Sequence, residues 1–253
     1  MDINMDILTF SADGIPTDGK EAVFPIFDKN DDGSPTFLGT GFFIAGNGLF
    51  MTAKHVLVGV TSPYIIQFLS KGGYIIRGIA QVDLDHPGDL CVGILFAGTI
   101  TSTREPLTNK SLSLSFHIPN PVDVVSTYAY PETAVESQGQ GGEMETRMDI
   151  WAFQYHGVVT EVKPRGAGLA KTGALVCSID SIPGNSGGPV ASPGSNGGIL
   201  GVNSSGMKGA YHIVSLLDGV RDLKIDNIIL PGESNARTVT IDELISSGHI
   251  KVV

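Results

Sequence analysis

Phe37-Leu-Gly-Thr-Gly-Phe-Phe-Ile-Ala-Gly-Asn-Gly-Leu-Phe-Met-Thr-Ala53 is two short apolar runs separated by glycine and asparagine. That texture, an apolar run and then a turn residue, is the signature of a strand and its turn. It recurs along the whole chain. Runs at 22–27, 37–45, 49–53, 64–69, 74–82 and 90–96 form one series. Runs at 122–128, 149–162, 173–177, 188–191, 198–202 and 210–215 form a second. Helical periodicity is nearly absent before Ser215, so the reading is all-β. Closure into barrels is the usual way to dispose of so many strand edges.

Between the two series, residues 99–115 are polar and read as a linker. The expected organisation is an extension over 1–21, a first barrel over 22–98, a second over 116–215 and a helical tail over 216–253. Residues 132–147, rich in Gly, Gln and Glu and without periodicity, read as a mobile surface loop. In the tail, Leu216, Leu217, Val220 and Leu223 share one helical face. Thr240-Ile-Asp-Glu243 is a capping box, with Gly248 placed to end that helix.

Composition narrows the function. Of 253 residues, 42% are hydrophobic and 17% charged, which fits a globular core and argues against disorder. The 33 glycines and 14 prolines are aperiodic and imply tight turns, not collagen. Twenty-six acids against 16 basic residues leave a net charge of -10, which disfavours nucleic acid and anionic membranes as partners. No apolar run approaches the ~18 residues of a membrane span. Residues 1–10 carry Asp2 and Asp6 and no basic residue, unlike a secretory leader. The expected compartment is the cytoplasm, or the exterior if a leader has been removed. Cys91 and Cys177 read as two buried small hydrophobes, with one long-range bridge as the alternative.

Three local signals carry chemistry. Leu49-Phe-Met-Thr-Ala-Lys-His55-Val runs an apolar strand into a histidine. His86-Pro-Gly-Asp89-Leu-Cys-Val-Gly sets an aspartate at the mouth of a buried strand. Ile182-Pro-Gly184-Asn-Ser186-Gly-Gly-Pro-Val holds a serine in a glycine-rich turn. A serine hydroxyl needs a base to become a nucleophile, and histidine titrates near neutrality. A carboxylate on the other ring nitrogen fixes the tautomer, and backbone amides hold a developing oxyanion. On this reading, the Gly184 and Ser186 amides are the oxyanion donors.

These motifs, in the order His55, Asp89, Ser186, resemble the trypsin/chymotrypsin-like serine peptidase superfamily, in its disulfide-free microbial or intracellular branch. The resemblance spans about residues 22–217. It implies two packed six-stranded antiparallel β-barrels with the catalytic groups in the cleft between them. It also implies a serine endopeptidase working through an acyl-enzyme on a peptide or protein, with no cofactor or metal. Gly201-Val-Asn-Ser204-Ser205-Gly206 is similar to the strand that binds substrate backbone, and Gly206 and Gly209 would edge the specificity pocket. Asp180 falls where that family has its pocket-floor residue, and an acidic floor implies cleavage after Lys or Arg. Asn185 stands where the animal enzymes have an aspartate, so activation through a freshly cut N-terminus is not expected. Ile182 stands where the digestive enzymes have a pocket-flanking cysteine.

Plainer readings stand beside these. Ser186 could be only a turn residue, His55 only a core histidine, and Asp180 a solvated loop acid. Asp83 and Asp85 rival Asp89. His86, His117, His156, His212 and His249 show no metal-ligand spacing. Asp28-Lys-Asn-Asp-Asp-Gly33 mimics the opening of a calcium loop, but Gly39 stands where the bidentate Glu belongs, so a hairpin turn is expected. A silent peptide-binding module on the same fold is the alternative function. A regulatory partner could dock at 132–147 or on the C-terminal helix, whose other reading is packing on the barrel.

Overall fold

The computed structural model describes residues 19–69, 72–99, 106–140, 143–230 and 233–253. Most of the expected extension over 1–21, and part of the linker, lie outside these residues. A short helical turn, α1 (Gly19–Ala22), leads into β1 (Val23–Lys29), β2 (Pro35–Phe43) and β3 (Leu49–Thr52). One helical turn, α2 (Lys54–Leu57), follows, and then β4 (Pro63–Phe68), β5 (Tyr74–Asp83) and β6 (Cys91–Leu95). The six strands close as an antiparallel barrel in the order β1-β2-β3-β6-β5-β4. Aromatic rings fill it: Phe24 packs against Phe43 with ring centres 4.6 Å apart and planes tilted by 50°, and meets Phe50 edge-on at 5.8 Å. The calcium-like stretch is the β1–β2 hairpin turn, closed by Asn30 N donating to Ser34 O at 2.9 Å.

The second barrel contains β7 (Val124–Ala129), then a side hairpin of β8 (Ala134–Gln140) and β9 (Glu143–Asp149). It continues with β10 (Phe153–Lys163), β11 (Ala174–Cys177), β12 (Pro189–Ala191), β13 (Ile199–Met207) and β14 (Tyr211–Leu216). The order is β10-β11-β14-β13-β12-β7, again closed and antiparallel. The all-β, two-barrel expectation is thereby met.

Three local expectations are corrected. The stretch 132–147 is not a loop: β8 and β9 pair in register, Glu136 opposite Arg147 and Ser137 opposite Thr146. Ser137 Oγ lies 3.1 Å from Thr146 Oγ1 across the ladder, and Val135 opposite Met148 is its one pair of large apolar residues, too little apolar pattern to mark two strands. The expected strand 149–162 is interrupted, because β9 ends at Asp149 and β10 begins at Phe153. The expected helix at 216–223 is absent. Leu216 ends β14, Gly219 takes φ +78°, and only a 3-10 turn, Val220–Asp222, forms. Leu216, Leu217, Val220 and Leu223 are nonetheless all buried, so burial and not helicity explains their spacing.

After that turn, β15 (Lys224–Ile228) pairs with β16 (Arg237–Thr240), and α3 (Ile241–Ser246) follows. The capping box forms as expected: Glu243 N donates to Thr240 Oγ1 at 3.1 Å, and Thr240 N to Glu243 Oε2 at 2.8 Å. The tail lies along the first barrel, with Lys224 N donating to Asp83 Oδ2 at 2.6 Å. Its Ile225, Val239, Ile241, Leu244 and Ile250 join the barrel's buried core. The last residues pair with the crossover: Leu114 N donates to Lys251 O, and Val253 N to Leu114 O. Among the described residues, no helix is long and apolar enough to cross a membrane.

Candidate active site

Strand pairing brings His55 and Asp89 together. Thr52, the last residue of β3, lies opposite Cys91, the first of β6. His55 is three residues beyond Thr52, and Asp89 is two before Cys91, so antiparallel pairing puts both at one barrel end. Val56 and Leu57 bury themselves and pin α2, leaving the His55 side chain 35% exposed.

Asp89 is buried. Its Oδ1 accepts from His55 N at 3.0 Å, and its Oδ2 lies 2.7 Å from His55 Nδ1. Ser204 Oγ, from the second barrel, donates to Oδ2 at 2.6 Å. Burial alone would raise the carboxyl pKa, but the bonds from His55 and Ser204 outweigh it, and the net shift is downward. An ionised carboxylate only accepts, so Nδ1 carries a proton, and among the described residues Nε2 has no partner. Asp83 instead binds the Lys224 and Asp85 amides. Asp85 is exposed.

Ser186 sits where two turns meet. Asn185 N donates to Ile182 O at 3.1 Å, and Gly188 N to Asn185 O at 3.0 Å. Each turn has glycine at its third position with positive φ, +94° at Gly184 and +87° at Gly187. That is the type II requirement. Because Asn185 O points to Gly188 N, the trans peptide aims the Ser186 N–H the other way. Among the described residues, neither the Gly184 amide nor the Ser186 amide has an acceptor.

Thr40 of β2 holds this turn against the first barrel. Its N–H donates to Ser186 O at 2.8 Å, and its Oγ1 donates to Gly184 O at 2.8 Å. Its carbonyl accepts from Thr52 Oγ1 at 2.6 Å. A Cβ on Gly39 would lie 2.8 Å from Ser186 O, so the barrels touch here through glycine. Sequence reading missed Thr40. The small residues Gly39-Thr-Gly41 inside an apolar strand were the available signal.

The Ser186 hydroxyl donates to Ser204 O at 3.4 Å, and among the described residues it has no bond to His55. Ser204 therefore touches both Asp89 and Ser186, a double contact its expected substrate-binding role did not include. Gly206 faces Ser181, whose Oγ is 2.7 Å from where a Cβ would be. Asp180 Oδ1 accepts from Gly209 N at 3.2 Å, so these two expected pocket residues are neighbours. Asp180 is exposed, however, and not a buried floor. The turn around Met207 to Ala210 is short, and it leaves that carboxylate open to water. Burial raises the Tyr155 pKa, and the charges of Glu132 and Asp180 nearby add to the shift. A surface hollow beside His55 is bounded by Val58, Pro87, Gly88 and Leu169. Both cysteines are buried and free.

The sequence profile of the trypsin-like peptidase domain matches residues 39–202, about two thirds of the chain. The chain belongs to the trypsin-like peptidase family. It is accordingly a serine protease, and its substrates are peptide or protein chains. No curated protein matches this trypsin-like peptidase in sequence. Solved structures share its fold. Deg5 superposes with TM-score 0.53 at 20% identity, over 79% of this chain and 86% of Deg5. The active form of the Rv3671c protease from M. tuberculosis gives 0.55 at 18%, over 79% and 78%. The HtrA-type protease AlgW with a decapeptide gives 0.52 at 14%, over 78% of this peptidase and 61% of AlgW.

Proposed function

We propose that this peptidase is an endopeptidase that cleaves through an acyl-enzyme formed on Ser186. In this reading His55 Nε2 takes the hydroxyl proton as Ser186 Oγ attacks the scissile carbonyl. The oxyanion is held by the Gly184 and Ser186 amides. The intermediate collapses, and His55 returns the proton to the leaving amine. Water, deprotonated by the same imidazole, then releases the acyl group. Asp89 keeps the proton on Nδ1 and stabilises the imidazolium without being protonated itself.

The observation that carries the reading is the 2.7 Å contact of His55 with buried Asp89, beside the Gly184 and Ser186 amides, which have no acceptor among the described residues. To react, Ser186 Oγ rotates from Ser204 O towards His55. Catalytic hydrogen bonds are commonly long before substrate binds. Asp180, whose charge together with that of Glu132 acts on Tyr155, supports a preference for Lys or Arg before the cut. The cationic side chain would meet a solvated carboxylate at the pocket edge, so the selectivity rests on charge attraction at an exposed site.

Labelling with a fluorophosphonate probe tests the nucleophile. The native protein is expected to label at Ser186, and Ser186→Ala to lose labelling and roughly 10⁴- to 10⁶-fold in turnover. Unchanged peptide hydrolysis in that variant sinks the assignment. Cleavage-site mapping on a mixed peptide library tests the basic preference, and a dominant small or aromatic residue would remove Asp180 from it. The second reading, a silent peptide-binding module, is favoured by the Ser186 hydroxyl bonding Ser204 O and not His55. Peptide binding without probe labelling is its expected signature.

A further inference from the structure

Asp89 belongs to residues 84–90, a connection without helix or strand. Such a segment needs its own anchors if a carboxylate on it is to stay in place. One anchor is the Ser204 hydroxyl. The other is His86, which is 1% exposed. Gly88 N donates to His86 Nδ1 at 3.0 Å, and His86 Nε2 lies 2.6 Å from Asp218 O. The amide can only donate and the carbonyl can only accept. The ring is therefore neutral with its proton on Nε2, and both nitrogens are used.

The His86 carbonyl accepts from Lys54 Nζ at 3.0 Å, and Lys54 directly precedes His55. The ring is enclosed by two glycines. A Cβ on Gly88 would lie 3.1 Å from ring atoms, and one on Gly219 would lie 3.2 Å from Nε2. Gly88 also abuts Thr172, whose Oγ1 would be 2.7 Å from such a Cβ. His86 thus ties together the aspartate segment, the helical turn bearing His55, and the chain leaving β14.

We infer that His86 is a positioning residue for the Asp89–His55 pair. It acts through the Gly88 amide within its own segment and through the Asp218 carbonyl across to the second barrel. This inference rests on the triad reading proposed above. Two staples, Ser204 to Asp89 and Asp218 to His86, hold one barrel's carboxylate against the other. Removing the second frees residues 86–88 to shift. A displacement of about 1 Å at a reacting group costs on the order of 100-fold.

The test uses the full chain, with His86→Ala and His86→Asn. The Asn side-chain oxygen takes the place of Nδ1, so it keeps the Gly88 bond and loses the reach to Asp218. Folding is checked by cooperative thermal unfolding, and kcat and KM are then measured on one peptide. The Ala variant is expected to lose about 10- to 100-fold in kcat with KM within about 2-fold, and Asn, which restores the Gly88 bond but not the Asp218 staple, to recover only part of that loss. If the Ala variant does not fold, the Asn variant decides through the same kcat-against-KM split, with a several-fold kcat loss expected. Native kcat in a folded variant, or a loss confined to KM or to the unfolding temperature, overturns the inference. Native protein that neither labels with fluorophosphonate nor hydrolyses peptide overturns the triad reading instead.

Discussion

Ser204 Oγ donates a 2.6 Å hydrogen bond to Asp89 Oδ2, joining a strand of the second barrel to a carboxylate of the first. The same residue's carbonyl accepts from Ser186 Oγ. Ser204→Ala removes one charge-assisted bond from a buried acceptor, a loss of about 1.5–3 kcal/mol. Urea unfolding at pH 7 checks it. A change below a few tenths of a kcal/mol would show that water replaces the hydroxyl.

The Asp89 bonds also set an acid limit. Its folded pKa is lowered, so its contribution to stability is complete above the ordinary carboxylate value, about 3.9. That contribution is lost as pH falls from there through the lower folded value. Ser204→Ala raises the folded pKa towards the ordinary value and shrinks the contribution. The difference between native and variant stabilities is expected to narrow below pH ~4, measured by unfolding at a series of acid pH values.

Asp89→Asn keeps the shape of the side chain and reverses the tautomer it selects on His55. Turnover is expected to drop about 10⁴-fold, as in other Ser-His-Asp enzymes, with a loss of stability at pH 7 from the charge-assisted bonds that the neutral side chain no longer accepts. Steady-state hydrolysis of a peptide measures it. A near-silent effect would return Asp83 or Asp85 to consideration.

Gly187→Ala tests the turn that presents Ser186. Gly187 has φ +87°, and a Cβ there would lie 2.0 Å from Thr40 O and 2.1 Å from Thr52 Oγ1. Backbone strain alone costs about 1–3 kcal/mol, and the clash adds to it. Loss of fluorophosphonate labelling together with a lower unfolding temperature is expected. A variant that labels at the native rate contradicts the close approach.

His212 is buried with Nε2 on Asn203 Oδ1, and burial pushes its pKa down to about 4. The unfolded chain takes up that proton near pH ~6.5 and the folded chain does not. Stability therefore falls as pH drops from ~6.5 to about 4, by on the order of 3 kcal/mol. His212→Gln is expected to flatten the stability curve over that interval. Equal slopes in native and variant proteins would rule out this contribution.

Burial raises both thiols, Cys177 to about 12 and Cys91 further. Thiolate is the reactive form, so neither is expected to react with iodoacetamide in the native state. Both are expected to react in denaturant. Mass spectrometry counts the adducts.

The strands of both barrels were legible because apolar runs bounded by turn residues are a local property of the chain. The motifs around His55, Asp89 and Ser186 were legible for the same reason, since each is a few consecutive residues. The β8–β9 hairpin was not legible, because Glu136 opposite Arg147 and Ser137 opposite Thr146 become pairs only when the strands meet. The spacing of Leu216, Leu217, Val220 and Leu223 reported burial and left its geometry undetermined, which Gly219 resolved as a turn. Residue types and their order thus came from the chain alone. Folding decided which atoms face each other: Thr40 beneath the serine turn, Ser204 on Asp89, His86 on Asp218, and Asp180 open to water. Those contacts join residues from 115 to 146 positions apart for the pairs Thr40–Ser186, Ser204–Asp89 and His86–Asp218. Each depends on distance and direction in space, which no local pattern encodes.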